Sequence, residues 1–262
     1  LFGIWVLFYF YQINRPEDVG LPPVDEFHKE QTKANSDSTD NASAPLHQDG
    51  SWHAIKQVIT NPMVLVLACV YFLLKPTRYL ILFWSPTYLN ERLGTGAAES
   101  GILGSMFDFA GPISVLAGGF ISDLYFGARR VPICVIALII VAITLFLFSS
   151  LPDTRLALGF GFFVIGFFLY IPDSLVSGTA PIDFGRRSGA STAAGLINGF
   201  GSIGAIVGGT MPGWIERFLG EGQDIWQPIF TGLGVSLLIA AAVLIPRWNA
   251  LPKHHVSVET TI

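Results

Sequence analysis

Two cations lie in the middle of an apolar stretch, residues 62–91, that is long enough to cross a lipid bilayer. A membrane-spanning helix needs about 20 mostly apolar residues, and a charge at its centre costs at least about 2.5 kcal/mol unless it faces protein or an aqueous cavity. Lys75 and Arg78 are three residues apart, which places them on one helix face. Tyr71 and Tyr79 lie one turn before and one turn after Lys75, on the same face. The chemistry that these residues support is the binding of an anion.

Arginine is the better phosphate contact of the two cations. Its planar guanidinium can bind two phosphate oxygens at once and stays charged when it is removed from water. The sequence therefore predicts Arg78 as the primary anion contact. Lys75 is predicted as a second contact, or as a switch that pairs alternately with Asp108 and with substrate. Pro76 interrupts the helical hydrogen bonds beside both cations, and transporters place their substrates at broken helices near the membrane midplane.

Polar side chains also lie inside three of the other apolar stretches. Asp108 belongs to a row of small residues in the second stretch, and such rows let helix backbones approach closely. Tyr170 and Asp173 are three residues apart in the fourth stretch, and Asn198 lies in the middle of the fifth. Ionisable residues inside a membrane mark substrate pathways or ion pairs, so we predict these four residues as further parts of the binding site.

A structural role for the same residues stays open. Asp108 and Asp173 would also neutralise the two cations as structural ion pairs, and Asn198 would equally serve as an interhelical hydrogen bond. Two pairs of glycines spaced four residues apart predict close helix packing along the fifth stretch: Gly195 with Gly199, and Gly204 with Gly208.

The composition is that of a membrane protein with several spans. Hydrophobic residues make up 51% of the 262 residues and charged residues only 13%, whereas soluble domains carry about 25% charged residues. Six apolar segments are predicted to span the membrane: 62–91, 97–124, 131–150, 154–178, 189–216 and 225–246. Residues 1–12 are apolar but too short to span. We expect them to be the end of another helix, and the chain to lack an N-terminal portion of the protein.

Basic residues are concentrated in alternate connections between the predicted spans. One side holds most of them: Arg15, Lys29, Lys33, Lys56, Arg129, Arg130, Arg186, Arg187, Arg247 and Lys253. The other side holds Arg92, Arg155 and Arg217. Lys and Arg collect in cytoplasmic loops, so the polar connector 13–61 and the tail 247–262 are expected to be cytoplasmic, on either side of a bundle that covers 62–246.

Three stretches resemble one transporter family. They are NRPEDVGLPP after the first helix end, RYLILFWSPTYLNERLG in the next span, and FDFAGPISVLAGGFISDLYFGARR in the span after that. They are similar to organophosphate:phosphate antiporters of the major facilitator superfamily, which include glycerol-3-phosphate and hexose-phosphate transporters. The resemblance implies an all-α membrane protein with two six-helix bundles around a central cavity. This chain would supply the end of helix 6 and helices 7 to 12, the C-terminal half.

The resemblance also implies roles for particular residues. The family's phosphate site takes one arginine from each half, and Arg78 falls on the position of the C-terminal arginine. Asp123, Arg129 and Arg130 resemble a loop motif whose implied role is gating at the cytoplasmic face. Lys75 departs from the family, whose members tend to have aromatic or aliphatic residues there, and this extra cation favours a more anionic substrate.

The expected function is exchange of a phosphorylated metabolite, of the glycerol-3-phosphate or sugar phosphate class, for inorganic phosphate by alternating access. The expected partners are these two anions, the lipid bilayer of a plasma (bacterial inner) membrane, and the missing N-terminal six-helix half. Two alternatives stay open: a non-transporting sensor of a sugar phosphate, and a proton-coupled symporter that uses Asp108 or Asp173 as proton carrier. The sequence carries no catalytic motif, and its His and Cys residues have no metal-ligand spacing. We therefore expect no enzyme, catalytic residue, cofactor, metal site or nucleic-acid partner.

Overall fold

The computed structural model describes residues 3, 9, 10, 20, 56, 58–127, 129–181, 190–220 and 222–250, and these contain helices and turns but no strand. The chain divides into two units, Leu1–Gln48 and Asp49–Ile262. In the first unit Gly3, Tyr9 and Phe10 are helical and Gly20 lies in a turn. Most of the predicted helix end at 1–12 and of the connector 13–61 lies outside the described residues, as do the basic loop 185–187 and the end of the tail.

Most of the described residues of the second unit form helices. They are α1 (Pro62–Leu93), α2 (Ala97–Gly104), α3 (Met106–Phe126), α4 (Arg130–Phe148), α5 (Arg155–Ser174), α6 (Ala190–Leu219) and α7 (Trp226–Leu244). A π-helical turn, Leu175–Thr179, follows α5, and a 3₁₀ turn, Ile245–Arg247, follows α7. With α2 and α3 counted as one span, the described part of the chain contains six helices long and apolar enough to cross a membrane. The six spans predicted from the sequence are therefore confirmed.

The ends of α1 follow from local chemistry. Asn61 caps the helix because its side chain accepts a hydrogen bond from the Met63 N–H at 2.9 Å, and Pro62 occupies the first turn, where no N–H is needed. Gly94 stops the helix in the left-handed conformation, with φ of 63°, and its N–H donates to the Asn90 carbonyl.

Two spans are less regular than their apolar runs predict. The second span breaks at Ser105 into α2 and α3, where Gly104 lies so close to the Ser85 hydroxyl that a Cβ there would overlap it. The fourth span changes from α-helix to a π-turn at Leu175. Pro172, one turn earlier, cannot donate a backbone hydrogen bond, and π-turns often lie at functional sites.

Helix α1 is the centre of the bundle and packs along α6 and α7, while α3 packs along α5, and α4 lies against α5 and α7. Five aromatic rings from four helices fill the core near the end of α1: Tyr88, Phe148, Phe162, Trp226 and Phe230. The rings of Phe148 and Phe162 are 4.9 Å apart, and Tyr88 meets Phe230 edge-on at 5.3 Å. Contacts of this kind contribute about 0.5–1.5 kcal/mol each beyond burial.

Two spans keep large faces uncovered by the described part of the chain. Over an apolar stretch of 18 residues in each span, 61% of the residues are buried in α1, against 33% in 97–126 and 22% in α6. The uncovered faces carry Asp108 on α3 and Asn198 on α6. The described helices therefore leave Asp108 and Asn198 uncovered.

An arginine fastens the end of α1 to the connection between α4 and α5. Arg92 donates from Nε to the Asp153 carboxylate at 2.7 Å and from Nη2 to the Leu151 carbonyl at 3.2 Å. Its side chain is 25% exposed and that of Asp153 is 58% exposed, so solvent weakens the ion pair.

We expect Arg92→Met to lower the free energy of unfolding by about 1 kcal/mol, chiefly through the lost bond to a carbonyl. This corresponds to roughly 2–4 °C in the midpoint of thermal unfolding in detergent. Arg155→Met is the matched control, because its ion pair with Glu99 is more exposed. It is expected to change the stability by less than about 0.5 kcal/mol. Equal losses in the two variants would contradict the fastening role of Arg92.

Candidate anion-binding site

Lys75 is a buried cation enclosed by aromatic rings. Its Nζ lies 4.5 Å from the ring centroid of Tyr71 and 5.4 Å from that of Tyr79, and the residue is 7% exposed. The one-turn spacing predicted both tyrosines on the face of Lys75, and the structure confirms that arrangement. Rings in this position attract a cation electrostatically, which offsets part of the cost of removing the ammonium from water.

One carboxylate of α5 holds both cations of α1. Asp173 is 5% exposed, its Oδ1 lies 3.1 Å from Lys75 Nζ, and its Oδ2 accepts a hydrogen bond from Arg78 Nη1. A carboxylate is tolerated at such depth only when it is paired, and here each oxygen has its own cation. The π-turn begins two residues after Asp173, and Ser177 within it donates to the Asp173 backbone carbonyl at 2.7 Å.

Tyr170 joins the second acid to the same network. Its hydroxyl donates to Asp108 Oδ1 at 2.5 Å, and the Arg78 guanidinium carbon lies 4.7 Å from its ring centroid. Gly111 faces this ring, and a Cβ there would lie 3.4 Å from three of its carbons, which is close van der Waals contact. Gly111 was not assigned to the site from the sequence. Its spacing of three residues from Asp108 was the available signal.

Glycines of α6 form the wall behind Lys75. A Cβ on Gly201 would overlap the Tyr71 ring, and one on Gly204 would overlap the Phe72 carbonyl and lie 3.2 Å from Lys75 Cβ. Gly208 meets the Pro76 backbone in the same way. The packing predicted for Gly204 and Gly208 is therefore confirmed. At Gly195 and Gly199, the other predicted pair, an added Cβ would meet no described atom of another helix within 4 Å.

Lys75, Arg78 and Asp173, the three charged groups in direct contact, carry one more positive than negative charge. Asp173 is shared by two cations, and Asp108 is exposed and bonded to Tyr170. Arg78 keeps 27% of its side chain exposed, against 9% for Lys75. A partly exposed guanidinium with only part of a carboxylate for a partner is chemically suited to bind a phosphate group.

All of the residues that the sequence predicted for the anion-binding site, except Asn198, belong to this network. Asn198 is exposed, and its side-chain amide donates to the Ala194 carbonyl of its own helix at 2.9 Å. The predicted pairing of two acids with two cations takes a different form, because Asp173 holds both cations and Asp108 bonds to Tyr170. No group of three or more His, Cys, Asp or Glu side chains among the described residues is arranged to hold a metal ion.

The residues predicted as a gate lie at the connection between α3 and α4, apart from the network. Arg130 Nη1 donates to Asp123 Oδ1 at 2.6 Å and to the Ser122 hydroxyl at 3.2 Å. Arg129 donates to the Asn249 side chain at 3.3 Å, which ties this connection to the region after α7. The arrangement fastens helix ends to one another, and a gating role for it stays a prediction.

The sequence model of the Major Facilitator Superfamily matches residues 1–209. The chain belongs to the Major Facilitator Superfamily. The six apolar helices fit that fold, and they make the chain an integral membrane protein with several spans.

The curated relatives of this chain include transport proteins whose names refer to phosphate esters, and a membrane sensor protein. A probable hexose phosphate transport protein of Chlamydia pneumoniae is 28% identical over 252 residues, which cover 92% of this chain and 54% of the relative. The glycerol-3-phosphate transporter of Bacillus subtilis (strain 168) is 29% identical over 242 residues, 90% of this chain and 51% of the relative. The membrane sensor protein UhpC of Salmonella typhimurium is 26% identical over 245 residues, 90% and 51% of the two chains. The chain thus spans about half the length of the curated relatives that it matches.

Proposed function

We propose that this protein exchanges a phosphorylated small metabolite, of the glycerol-3-phosphate or sugar phosphate class, for inorganic phosphate by alternating access. The names of its transporter relatives support the substrate class. The observation that carries the proposal is Arg78, a guanidinium that stays partly exposed while Asp173 is shared with Lys75. The superfamily and the absence of a catalytic motif from the sequence both favour a transporter over an enzyme.

The charges of the site give a reason for exchange rather than free passage. Lys75, Arg78 and Asp173, which are in direct contact, leave one net positive charge inside the bundle, where charge is costly, while Asp108 is exposed and bonded to Tyr170. A bound phosphate offsets that charge, so the loaded site changes its orientation more readily than the empty one. Such a site carries an anion in each direction, which is antiport.

The uncovered faces of α3 and α6 support the presence of another group of helices beside this bundle. We infer that a further six-helix bundle packs there and supplies the facing side of the anion site, including a second arginine. Asp108 and Asn198 would then line the cavity between the two bundles. The basic residues of the α3–α4 connection and of the tail orient the C-terminus toward the cytoplasm, in a plasma (bacterial inner) membrane.

The test is a phosphate-exchange measurement on the protein produced from its natural gene and reconstituted into lipid vesicles. We expect labelled phosphate to enter vesicles loaded with inorganic phosphate and to remain outside vesicles that lack it. External glycerol-3-phosphate and glucose-6-phosphate should compete with labelled phosphate, whereas glycerol and glucose should not.

Two results would contradict antiport and each would identify an alternative. Uptake that follows a pH gradient and ignores internal phosphate would select a proton-coupled symporter, with Asp108 or Asp173 as carrier. Binding of a sugar phosphate without any uptake would select a sensor, a possibility that the similarity to a membrane sensor protein keeps open.

A further inference from the structure

The ion-pair network assigns one carboxylate to two cations. Asp173 offers Oδ1 to Lys75 and Oδ2 to Arg78, so the two side chains compete for one negative charge. If either cation were removed, both oxygens would become available to the other. The strength of each pair therefore depends on the presence of the other pair, and an anion that binds one cation also changes the second.

The surroundings of the two cations decide which one an anion can reach. The Lys75 side chain is 9% exposed, because the Tyr71 and Tyr79 rings flank its ammonium and Gly201 and Gly204 lie against its stem. The Arg78 side chain is 27% exposed. Arg78 is therefore the more accessible of the two cations to an incoming anion.

We propose that Lys75 is a positioning residue that retains Asp173, and that it thereby leaves Arg78 available to bind an anion. Without Lys75, Asp173 would turn both oxygens to the Arg78 guanidinium and exclude phosphate from it. Lys75 thus sets the affinity of the site without touching the substrate, in place of the second substrate contact that the sequence predicted. This inference rests on the proposed function, because it names how the charge of the same anion site is set.

Variants that remove the charge of Lys75, of Asp173 or of both distinguish a positioning role of Lys75 from a direct contact with phosphate. The protein has one net positive charge over Lys75, Arg78 and Asp173; Lys75→Met leaves none, and Asp173→Asn leaves two. The double variant Lys75→Met/Asp173→Asn returns to one net charge and leaves no carboxylate to block Arg78. At an effective dielectric constant well below that of water, one unit of charge nearby changes anion affinity by about tenfold or more.

The experiment measures inorganic phosphate binding to the purified protein from its natural gene, through the rise in thermal stability with phosphate concentration. We expect Lys75→Met to weaken phosphate binding by about tenfold or more, and Asp173→Asn to strengthen it. The double variant should bind phosphate within about threefold of the unsubstituted protein, a difference below about 1 kcal/mol. Arg155→Met, which removes a cation from an exposed ion pair, is the matched control and should leave the affinity unchanged.

A direct contact between Lys75 and phosphate predicts the opposite for the double variant, which would stay as weak as Lys75→Met. Three results would each overturn the inference. They are a double variant that binds phosphate as weakly as Lys75→Met, weaker phosphate binding by Asp173→Asn than by the unsubstituted protein, and a double variant that is absent from the membrane. The double variant contains no unpaired carboxylate, so its comparison with the unsubstituted protein decides the question even where Lys75→Met does not fold. The stability without phosphate, measured alongside, separates lost affinity from lost structure.

Exchange of labelled phosphate, measured on the same preparations, separates this inference from the proposed function. Phosphate binding without exchange by the unsubstituted protein would contradict antiport. The phosphate affinities of the unsubstituted protein and its variants would still decide the role of Lys75. An unsubstituted protein that binds no phosphate would overturn both.

Discussion

Replacing Arg78 with Lys in the protein from its natural gene is expected to lower phosphate exchange by about 100-fold or more. A guanidinium binds phosphate through two parallel charge-assisted hydrogen bonds, each worth about 1.5–3 kcal/mol, and an ammonium does not reproduce that paired geometry. Because about 1.4 kcal/mol is a factor of ten in affinity, the lost fork is enough for this effect. The measurement is the initial rate of labelled phosphate exchange in lipid vesicles, divided by the amount of folded protein.

Because lysine keeps the positive charge of arginine, this substitution removes the paired hydrogen bonds to phosphate and preserves the charge balance of the site. Lysine at position 78 still offers a cation to Asp173, which also keeps its ion pair with Lys75, so the buried carboxylate stays neutralised. We therefore expect the thermal midpoint without phosphate to change little. Arg155→Lys makes the same chemical change at an exposed ion pair and should leave exchange as it was. Undiminished exchange by Arg78→Lys would remove Arg78 from the phosphate site.

The sequence predicts well the lengths of the spans and the contacts between residues that are close together along the chain. The length of each apolar run predicted the spans, because the bilayer sets the length of a helix that crosses it. Helical spacing predicted that Tyr71 and Tyr79 flank Lys75, and both rings lie within 5.4 Å of its ammonium. Contacts between residues one turn apart depend only on helix geometry, which is the same in every helix.

The partners across helices could not be predicted in this way. Asp108 and Asp173 were equivalent candidates for the two cations, since spacing along a chain does not say which helices become neighbours. The structure gives both cations to Asp173 and gives Asp108 to Tyr170. The break at Ser105 accompanies the close packing of Gly104 on Ser85 and no change in apolar pattern, whereas the π-turn after α5 follows Pro172.

The largest expected effect on folding belongs to the glycines at the crossing of α1 and α6. A Cβ at Gly208 would overlap the Pro76 backbone, and one at Gly204 would overlap the Phe72 carbonyl, which Pro76 leaves without its usual helical donor. Backbone atoms cannot turn away as side chains do, so each alanine must push the two helices apart. We expect Gly204→Ala and Gly208→Ala to cost about 3 kcal/mol each. In detergent this corresponds to roughly 6–12 °C in the thermal midpoint.

Gly199→Ala, on the same helix, distinguishes packing at the crossing from a general intolerance of α6 to alanine. A Cβ added at Gly199 would meet no described atom of another helix within 4 Å, and alanine favours a helix over glycine by about 1 kcal/mol. This variant should therefore be at least as stable as the unsubstituted protein. If Gly199→Ala lost as much stability, the face of α6 that carries Gly199 would be a second packing surface. An unchanged thermal midpoint for Gly208→Ala would contradict the close crossing of α1 and α6. Because Lys75 lies against Gly204, separation of the helices should also move both cations relative to Asp173, so exchange should fall together with stability at the crossing alone.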